Sequence, residues 1–384
     1  IYEFDFETQT MGDLVFEHDK VDVENVMMSE KTRDMVGVSY TWHKPERVYT
    51  DPRWKAMMAG IDQALPDTVN TVSSLSRDES VAVISAYSDR QPAQYYLYDT
   101  NDRALRYLGE SRPWIKAEEL AEMKPVTFTA RDGMELQGYV TLPPGSDGKN
   151  LPTVVHPHGG PWARDGWGYN SNVQFLANRG YAVLQVNFRG STGFGLQHYT
   201  ASRKQWGRAM QSDISDMLEW AVDEGITDPE RVCIFGASYG GYATMAGLTF
   251  TPELYQCGIN YVGVTDLVVF QETMPTAWED GKIMMSEMVG DIETEEEFLE
   301  EWSPSQNADK IQAPLFMAYG KKDPRVHIDN FKVMEDALKE AGKKEGRDYW
   351  TMVKKDEGHG FRKQENVYDF YGRVDSFLAQ YLGN

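Results

Sequence analysis

Val232-Cys233-Ile234-Phe235-Gly236-Ala237-Ser238-Tyr239-Gly240-Gly241-Tyr242 is the stretch that decides the fold. An apolar run of strand length leads directly into G-x-S-x-G, and residues 242–248 then read as a helix. A serine on a tight strand-to-helix turn is the arrangement of a nucleophile elbow. Glycines two residues to either side let neighbouring backbone approach closely. The helix N-terminus adds a field that favours developing negative charge. A glycine-rich turn with an incidental serine would satisfy the five-residue pattern alone. Strand, helix and Gly241 together favour the elbow.

A serine hydroxyl is a weak nucleophile near neutral pH; it needs a base, and the base needs an orienting acid. Hydrolases with this elbow place them in the order serine, acid, histidine. Of seven histidines only His327 and His359 follow Ser238. His359 lies in Gly358-His359-Gly360-Phe361, after the last expected strand, and is assigned as the base; His327 is read as capping a helix start. The acid is assigned to Asp323, at the end of the apolar strand 315–319, with Asp356 as a rival. The oxyanion formed by attack needs two donors. The residue after the nucleophile, Tyr239, supplies one main-chain N–H, and Gly160 in His158-Gly159-Gly160-Pro161 is assigned the other.

Outward from the elbow, the chain from about Lys124 alternates strand and helix. Residues 126–130 and 135–141 form a hairpin across Arg131-Asp132-Gly133. Strands follow at 153–156, 181–187, 231–235, 258–262, 315–319 and 349–353, with amphipathic segments at 209–224, 328–341 and 365–381. Apolar strands alternating with helices imply a mostly parallel sheet covered on both faces. Ligands in such sheets bind at the carboxyl ends of the strands. Before residue 121 the pattern is different. Short strands at 2–6, 14–17, 23–28, 35–40, 69–73, 81–87 and 95–98 are separated by polar turns, with a weak repeat of about 45 residues that suits propeller blades. Residues 52–65 carry helical spacing and read as an insertion.

The 384 residues carry a net charge of −22, and residues 1–120 already hold 13 basic and 22 acidic side chains. Acid spread along the chain is a solvated surface. It argues against nucleic acid and anionic membranes as partners. No apolar run approaches the ~18 residues of a membrane span. Cys233 and Cys257 are the only cysteines, with no C-x-x-C pair; Cys233 reads as a small apolar core residue, and no metal or cofactor is expected. The acidic run 291–301 reads as a solvated helix.

Five motifs in one order carry a resemblance: His158-Gly159-Gly160-Pro161, Asn187-Phe188-Arg189-Gly190-Ser191-Thr192-Gly193-Phe194-Gly195, the elbow, Asp323-Pro324-Arg325-Val326, and Gly358-His359-Gly360-Phe361. The chain resembles the prolyl oligopeptidase family of serine peptidases, in its acylaminoacyl-peptidase-like branch. The resemblance implies an α/β-hydrolase fold over residues 121–384, preceded in residues 1–120 by part of a β-propeller, the last two blades or so. It also implies that Val264, Leu267, Phe270 and Val326, with His158 nearby, line an apolar substrate pocket; ordinary core packing is the competing reading. The paired glutamates of the dipeptidyl branch are not recognisable.

The expected function is hydrolysis of short peptides through an acyl-enzyme on Ser238. A carboxylesterase and a catalytically silent binding protein are the alternatives. Homo-oligomers are common in the family, and the compartment, cytoplasmic or periplasmic, is open. A closed propeller of ~300 residues exceeds the first 120 residues, and Ile1 begins inside a strand pattern. The expectation is an upstream segment of about 200 residues or more, checked by the intact mass of the native gene product.

Overall fold

The computed structural model describes residues 1–383; Asn384, the last residue of the expected catalytic domain, lies outside the described residues. The chain divides into two compact units. The first comprises Ile1–Pro125, Gly166–Asn178 and Gly193–Gly195; the second comprises Val126–Asp165, Arg179–Thr192 and the chain from Leu196 onward.

The first unit is built from antiparallel sheets. Strands β1 (Tyr2–Asp5) and β2 (Thr10–Leu14) form a hairpin, and β3 (Val23–Met28), β4 (Met35–Thr41) and β5 (Pro45–Tyr49) a three-stranded sheet. After helix α1 (Pro52–Ala64), β6 (Val69–Leu75), β7 (Val81–Tyr87), β8 (Gln94–Asp99) and β9 (Ala104–Glu110) form a four-stranded meander. The second strand lies earlier than the 14–17 expected from sequence. Asp5 Oδ1 accepts the N–H groups of Glu7 and Thr8, which tightens the turn and brings β2 forward. Asp51 caps α1 by accepting from Arg53 and Trp54 N–H, ahead of Pro52 in the first turn. Trp54, Met58 and Ile61 are buried at helical spacing, and Met58 and Ile61 pack with Ala82, Ile84 and Tyr98 of the meander. In β7, Ala82, Ile84 and Ala86 alternate with more exposed neighbours. These sheets are consistent with part of a propeller.

An eight-stranded sheet contains β10 (Met123–Thr129), β11 (Glu135–Thr141), β12 (Leu151–Val155), β13 (Ala182–Asn187), β14 (Thr227–Ala237), β15 (Cys257–Tyr261), β16 (Leu315–Gly320) and β17 (Tyr349–Lys354). Their order is β10-β11-β13-β12-β14-β15-β16-β17. β11 is antiparallel to β13; from β13 through β17 every pairing is parallel. The helices that follow the strands are α2 (Ser171–Asn178), α3 (Gly195–Thr200), α4 (Ala209–Asp223), α5 (Tyr239–Phe250), α6 (Leu267–Glu272), α7 (Glu279–Met288), α8 (Glu296–Glu301), α9 (Asp329–Glu340) and α10 (Gln364–Leu382).

The pleat sorts the apolar strands onto two faces. Val232, Ile234, Leu315, Met317 and Tyr319 join one core with Ile214 and Met217 of α4, Ala243 and Ala246 of α5, and Phe331 and Met334 of α9. On the opposite face Phe235, Tyr261 and Phe316 meet Phe370 of α10 at ring separations of 6.2, 4.3 and 6.1 Å. This is an α/β-hydrolase architecture with helices on both faces. Cys233 is fully buried, as its apolar run implies, and is joined in a disulfide to Cys257, its register partner on β15. That link becomes visible only with strand register.

Boundaries in the second unit also depart from the sequence reading, two of them for visible reasons. β14 begins at Thr227 because a bulge between Leu151 and Thr153 pairings holds residues 228–231 outside the ladder, where Asp228 pairs with Arg231 at 2.6 Å. The acidic run is helical only from Glu296, since Asp291 accepts the N–H groups of Glu293 and Thr294 in a turn of its own.

The start of α10 is held by a buried carboxylate. Glu357 accepts from Asn366 Nδ2 at 2.7 Å and from the N–H groups of Arg362 and Lys363 at 3.0 and 2.9 Å. Burial alone pushes Glu357 up, but these bonds outweigh it and hold the carboxyl below its usual range. A lowered native pKa means stability that is present above the unfolded range and lost as pH falls through the native one. Glu357→Gln is expected to cost about 1–3 kcal/mol near neutral pH. Thermal melts across pH test this: the difference from the parent should close on acidification below the ordinary glutamate range.

Candidate active site

The elbow packs so closely that three of its positions have no room for a side chain. Ser238 sits at φ 58°, ψ −120°, outside helix and strand, and its carbonyl accepts the Tyr242 N–H at 3.0 Å to start α5. The helix therefore begins at Tyr239, earlier than the expected 242. A Cβ on Gly236 would collide with Gly240, and one on Gly240 with the Pro157 carbonyl. A Cβ on Gly241 would meet Asn260 Oδ1 at 2.5 Å and Gly263 Cα at 2.6 Å. The three glycines are contacts between chain segments, not loose spacers.

Asp323 and His359 lie on the loops that follow the adjacent parallel strands β16 and β17. The Asp323 side chain is fully enclosed. Its Oδ1 accepts the N–H groups of Arg325 and Val326 at 2.8 and 3.0 Å, which fixes the carboxylate and leaves Oδ2 for a second task. Oδ2 stands 2.7 Å from His359 Nδ1. That bond assigns the Nδ1 proton to the carboxylate side and leaves Nε2 with its lone pair. The His359 side chain keeps 18% of its surface exposed. Lys322 N–H donates to the Glu357 carbonyl at 2.8 Å and joins the two loops. A side chain at Gly320 would strike the Glu357 and Gly358 carbonyls. Asp356 instead pairs with Lys363, and His327 with Asp329 at the start of α9.

The loop after β12 reaches the elbow from the other side. A Cβ on Gly159 would lie 3.4 Å from Ser238 Cβ and 3.1 Å from the Ala237 carbonyl oxygen. Gly160 has φ 128°, a conformation that favours glycine, and is followed by a cis peptide to Pro161. His158 anchors this loop. Its Nε2 lies 2.9 Å from Ser191 Oγ, its Nδ1 2.8 Å from the Gly159 carbonyl, and its ring stacks on Phe188 at 4.3 Å. Burial pushes its imidazole down to about 4, so it is neutral near physiological pH.

The Asn187–Gly195 motif is thereby explained in part as the anchor of this loop. Arg189, two residues before Ser191, is fixed by Asp213, which accepts its Nε at 2.8 Å and its Nη2 at 2.7 Å. Sequence reasoning missed two further residues. Tyr261 Oη accepts the Phe361 N–H and holds the loop just beyond His359, and Glu357 anchors the same loop from the side of α10. Tyr261 ends a strand, and Glu357 follows the charged run Lys354-Lys355-Asp356, so neither position by itself announces the contact. Of the expected pocket residues, Val264, Leu267 and Val326 are buried to 1–2% in the main core, while Phe270 is half-buried against it.

Residues 167–384 match the prolyl oligopeptidase family. The chain is 36% identical to dipeptidyl aminopeptidase BIII of Pseudoxanthomonas mexicana over 96% of its own length and 54% of that protein. It is 33% identical to dipeptidyl peptidase family member 6 of Caenorhabditis elegans, over 99% and 54% respectively. Among solved structures it resembles a puromycin-hydrolyzing peptidase of Mycobacterium tuberculosis, with TM-score 0.70 and 28% identity over 79% of this chain and 47% of that one. An acylaminoacyl peptidase solved with a chloromethyl ketone shares the fold at TM-score 0.74 and 22% identity, covering 98% and 58%. The chain spans about half the length of the curated relatives it matches. On this match and these likenesses, the chain belongs to the prolyl oligopeptidase family.

Proposed function

We propose that this chain carries the catalytic apparatus of a serine peptidase. Ser238 attacks a peptide carbonyl, His359 takes the hydroxyl proton and later gives it to the leaving amine, and Asp323 holds the imidazole and stabilises its charged form. The main-chain N–H groups of Tyr239 and Gly160 receive the oxyanion. Water activated by His359 then releases the acyl group. The observation that carries this reading is the 2.7 Å bond from His359 to an enclosed carboxylate, in a chain whose Ser238 stands on a strained strand-to-helix turn. Phe270, half-buried, is the most exposed of the four apolar pocket candidates.

The substrate class proposed is short peptides. The named relatives support it: a dipeptidyl aminopeptidase at 36% identity and acylamino-acid-releasing enzymes at 25–28%. The division near residue 120 into a propeller part and a hydrolase part, and self-association of the chain, belong to the same proposal. A carboxylesterase remains the second reading, because the same constellation cleaves esters.

A fluorophosphonate probe should label the parent chain and leave Ser238→Ala unlabelled; an unlabelled parent sinks the enzyme reading. Asp323→Asn should lower kcat by about 10⁴-fold with the fold retained. Matched peptide and nitrophenyl ester substrates separate the two enzyme readings, and turnover of esters alone would overturn the peptidase. Peptides with free and with acylated N-termini, compared by mass spectrometry, separate dipeptidyl release from acylaminoacyl release.

A further inference from the structure

The oxyanion loop has a second anchor, at Asp165, that the proposed chemistry does not use. The Asp165 N–H donates to Asn187 Oδ1 at 2.8 Å, and its carbonyl accepts from Asn187 Nδ2 at 3.1 Å. Asn187 Nδ2 also reaches Gln137 Oε1 on β11. Asp165 Oδ1 accepts from Gln185 Nε2 at 2.7 Å. This leaves one oxygen on each partner of that pair. Asp165 Oδ2 and Gln185 Oε1 are both enclosed, and among the described residues no donor reaches either.

With an ionised carboxylate, both oxygens are acceptors and each carries the cost of a buried polar group without a bond. One proton resolves both. A carboxylic acid and a carboxamide form a cyclic pair, in which the amide N–H donates to one carboxyl oxygen and the carboxyl O–H donates to the amide oxygen. The surroundings favour the neutral acid. Burial pushes Asp165 up to about 7, against the opposing pull of Gln185 and the Arg164 guanidinium. Arg164 acts on it from its own loop, while β11 and β13 present the neutral amides of Gln137, Gln185 and Asn187.

We infer that Asp165 is a positioning residue, protonated and paired with Gln185, and that this pair holds the oxyanion loop in its working conformation until Asp165 ionises. The kinetic consequence rests on the serine peptidase reading; the protonation state does not. The native carboxyl binds its proton more firmly than the unfolded chain does. Stability therefore falls as pH rises from the ordinary aspartate range through about 7.

Two measurements on the full chain test the inference. Infrared difference spectra of Ser238→Ala, titrated from about pH 5 to 9, should show a protonated-carboxyl carbonyl band lost on the alkaline side. Adding Asp165→Asn to the same background should abolish that band. A spectrum without the band overturns the inference whatever the catalytic activity. In the kinetic arm, the parent's kcat/KM on a short peptide should fall on the alkaline side. Asp165→Asn supplies an N–H donor at every pH, so its ratio of kcat/KM at pH 9 to pH 7 should exceed the parent's by about tenfold. An unchanged ratio overturns the positioning role. If Asp165→Asn does not fold, Gln185→Glu decides: two acids sharing a proton should move the alkaline fall to higher pH, and a fall left in place refutes the pair.

Discussion

The backbone of Ser238, held at φ 58° and ψ −120°, is the constraint around which the second unit is arranged. Such a conformation costs on the order of 1–3 kcal/mol in a non-glycine residue and persists only where its surroundings over-determine it. They do so here from three directions. β14 is paired on both edges, to β12 and β15, so the strand cannot relax. Residues 239–249 of α5 are buried throughout, so the helix cannot pivot. A buried polar network closes the gap at Gly263. Asn260 Oδ1 accepts the Gly263 N–H at 2.9 Å, Asn260 Nδ2 donates to Tyr319 Oη at 3.0 Å, and Tyr319 Oη donates to the Gly263 carbonyl at 2.6 Å. Each member has a partner, which makes the network rigid rather than costly.

The other functional groups are placed by the same sheet. β16 and β17 are parallel and in register from Leu315↔Tyr349 to Gly320↔Lys354, so their carboxyl-end loops emerge side by side. That register brings Asp323 to His359 across 36 residues of sequence. The loop carrying Gly160 is instead tethered to the end of β13 and the turn beyond it. His158 reaches Ser191 at its near end and Asp165 reaches Gln185 and Asn187 at its far end. The proposed nucleophile and base are thus set by strands, and the proposed oxyanion loop by side chains. The loop is the part of the site whose geometry depends on protonation.

Much of this was legible because strand-to-loop chemistry leaves local marks. G-x-S-x-G after an apolar run, Gly-His-Gly after the last strand and an aspartate after the preceding strand each combine residue type with place. The Asp323–His359 bond follows from those marks. What stayed hidden depends on pairings that no local pattern encodes. Glu357 reads as one more acid in Asp356-Glu357, until the turn into α10 offers it the Arg362 and Lys363 N–H groups and α10 itself the Asn366 amide. Tyr261 reads as the end of a strand. The Cys233–Cys257 link requires the register of β14 and β15. Val264, Leu267 and Val326 show the limit of residue type: an apolar side chain serves a core and a pocket equally, and these three are almost wholly buried.

The electrostatics of the oxyanion loop follow from burial more than from composition. Side-chain cations beside the loop would be one way to meet a negative transition state. The groups nearest the loop are arranged otherwise. Burial lowers His156, and brings His158 and His198 down to about 4, so these imidazoles are neutral in the working range. Arg189 is engaged by Asp213 and Asp132 at 2.7 and 2.8 Å, which cancels its field at a distance. Arg164 contributes positive charge from the loop itself. Stabilisation of an oxyanion then falls largely to fixed dipoles, the main-chain N–H groups and the N-terminus of α5, which need no reorganisation when charge develops. Dipoles are weaker than ions, and a nearby carboxylate would offset them. On the proposed catalytic reading, a neutral Asp165 is the state in which the oxyanion loop works, because its ionised form would place a negative charge on the same loop that must receive one.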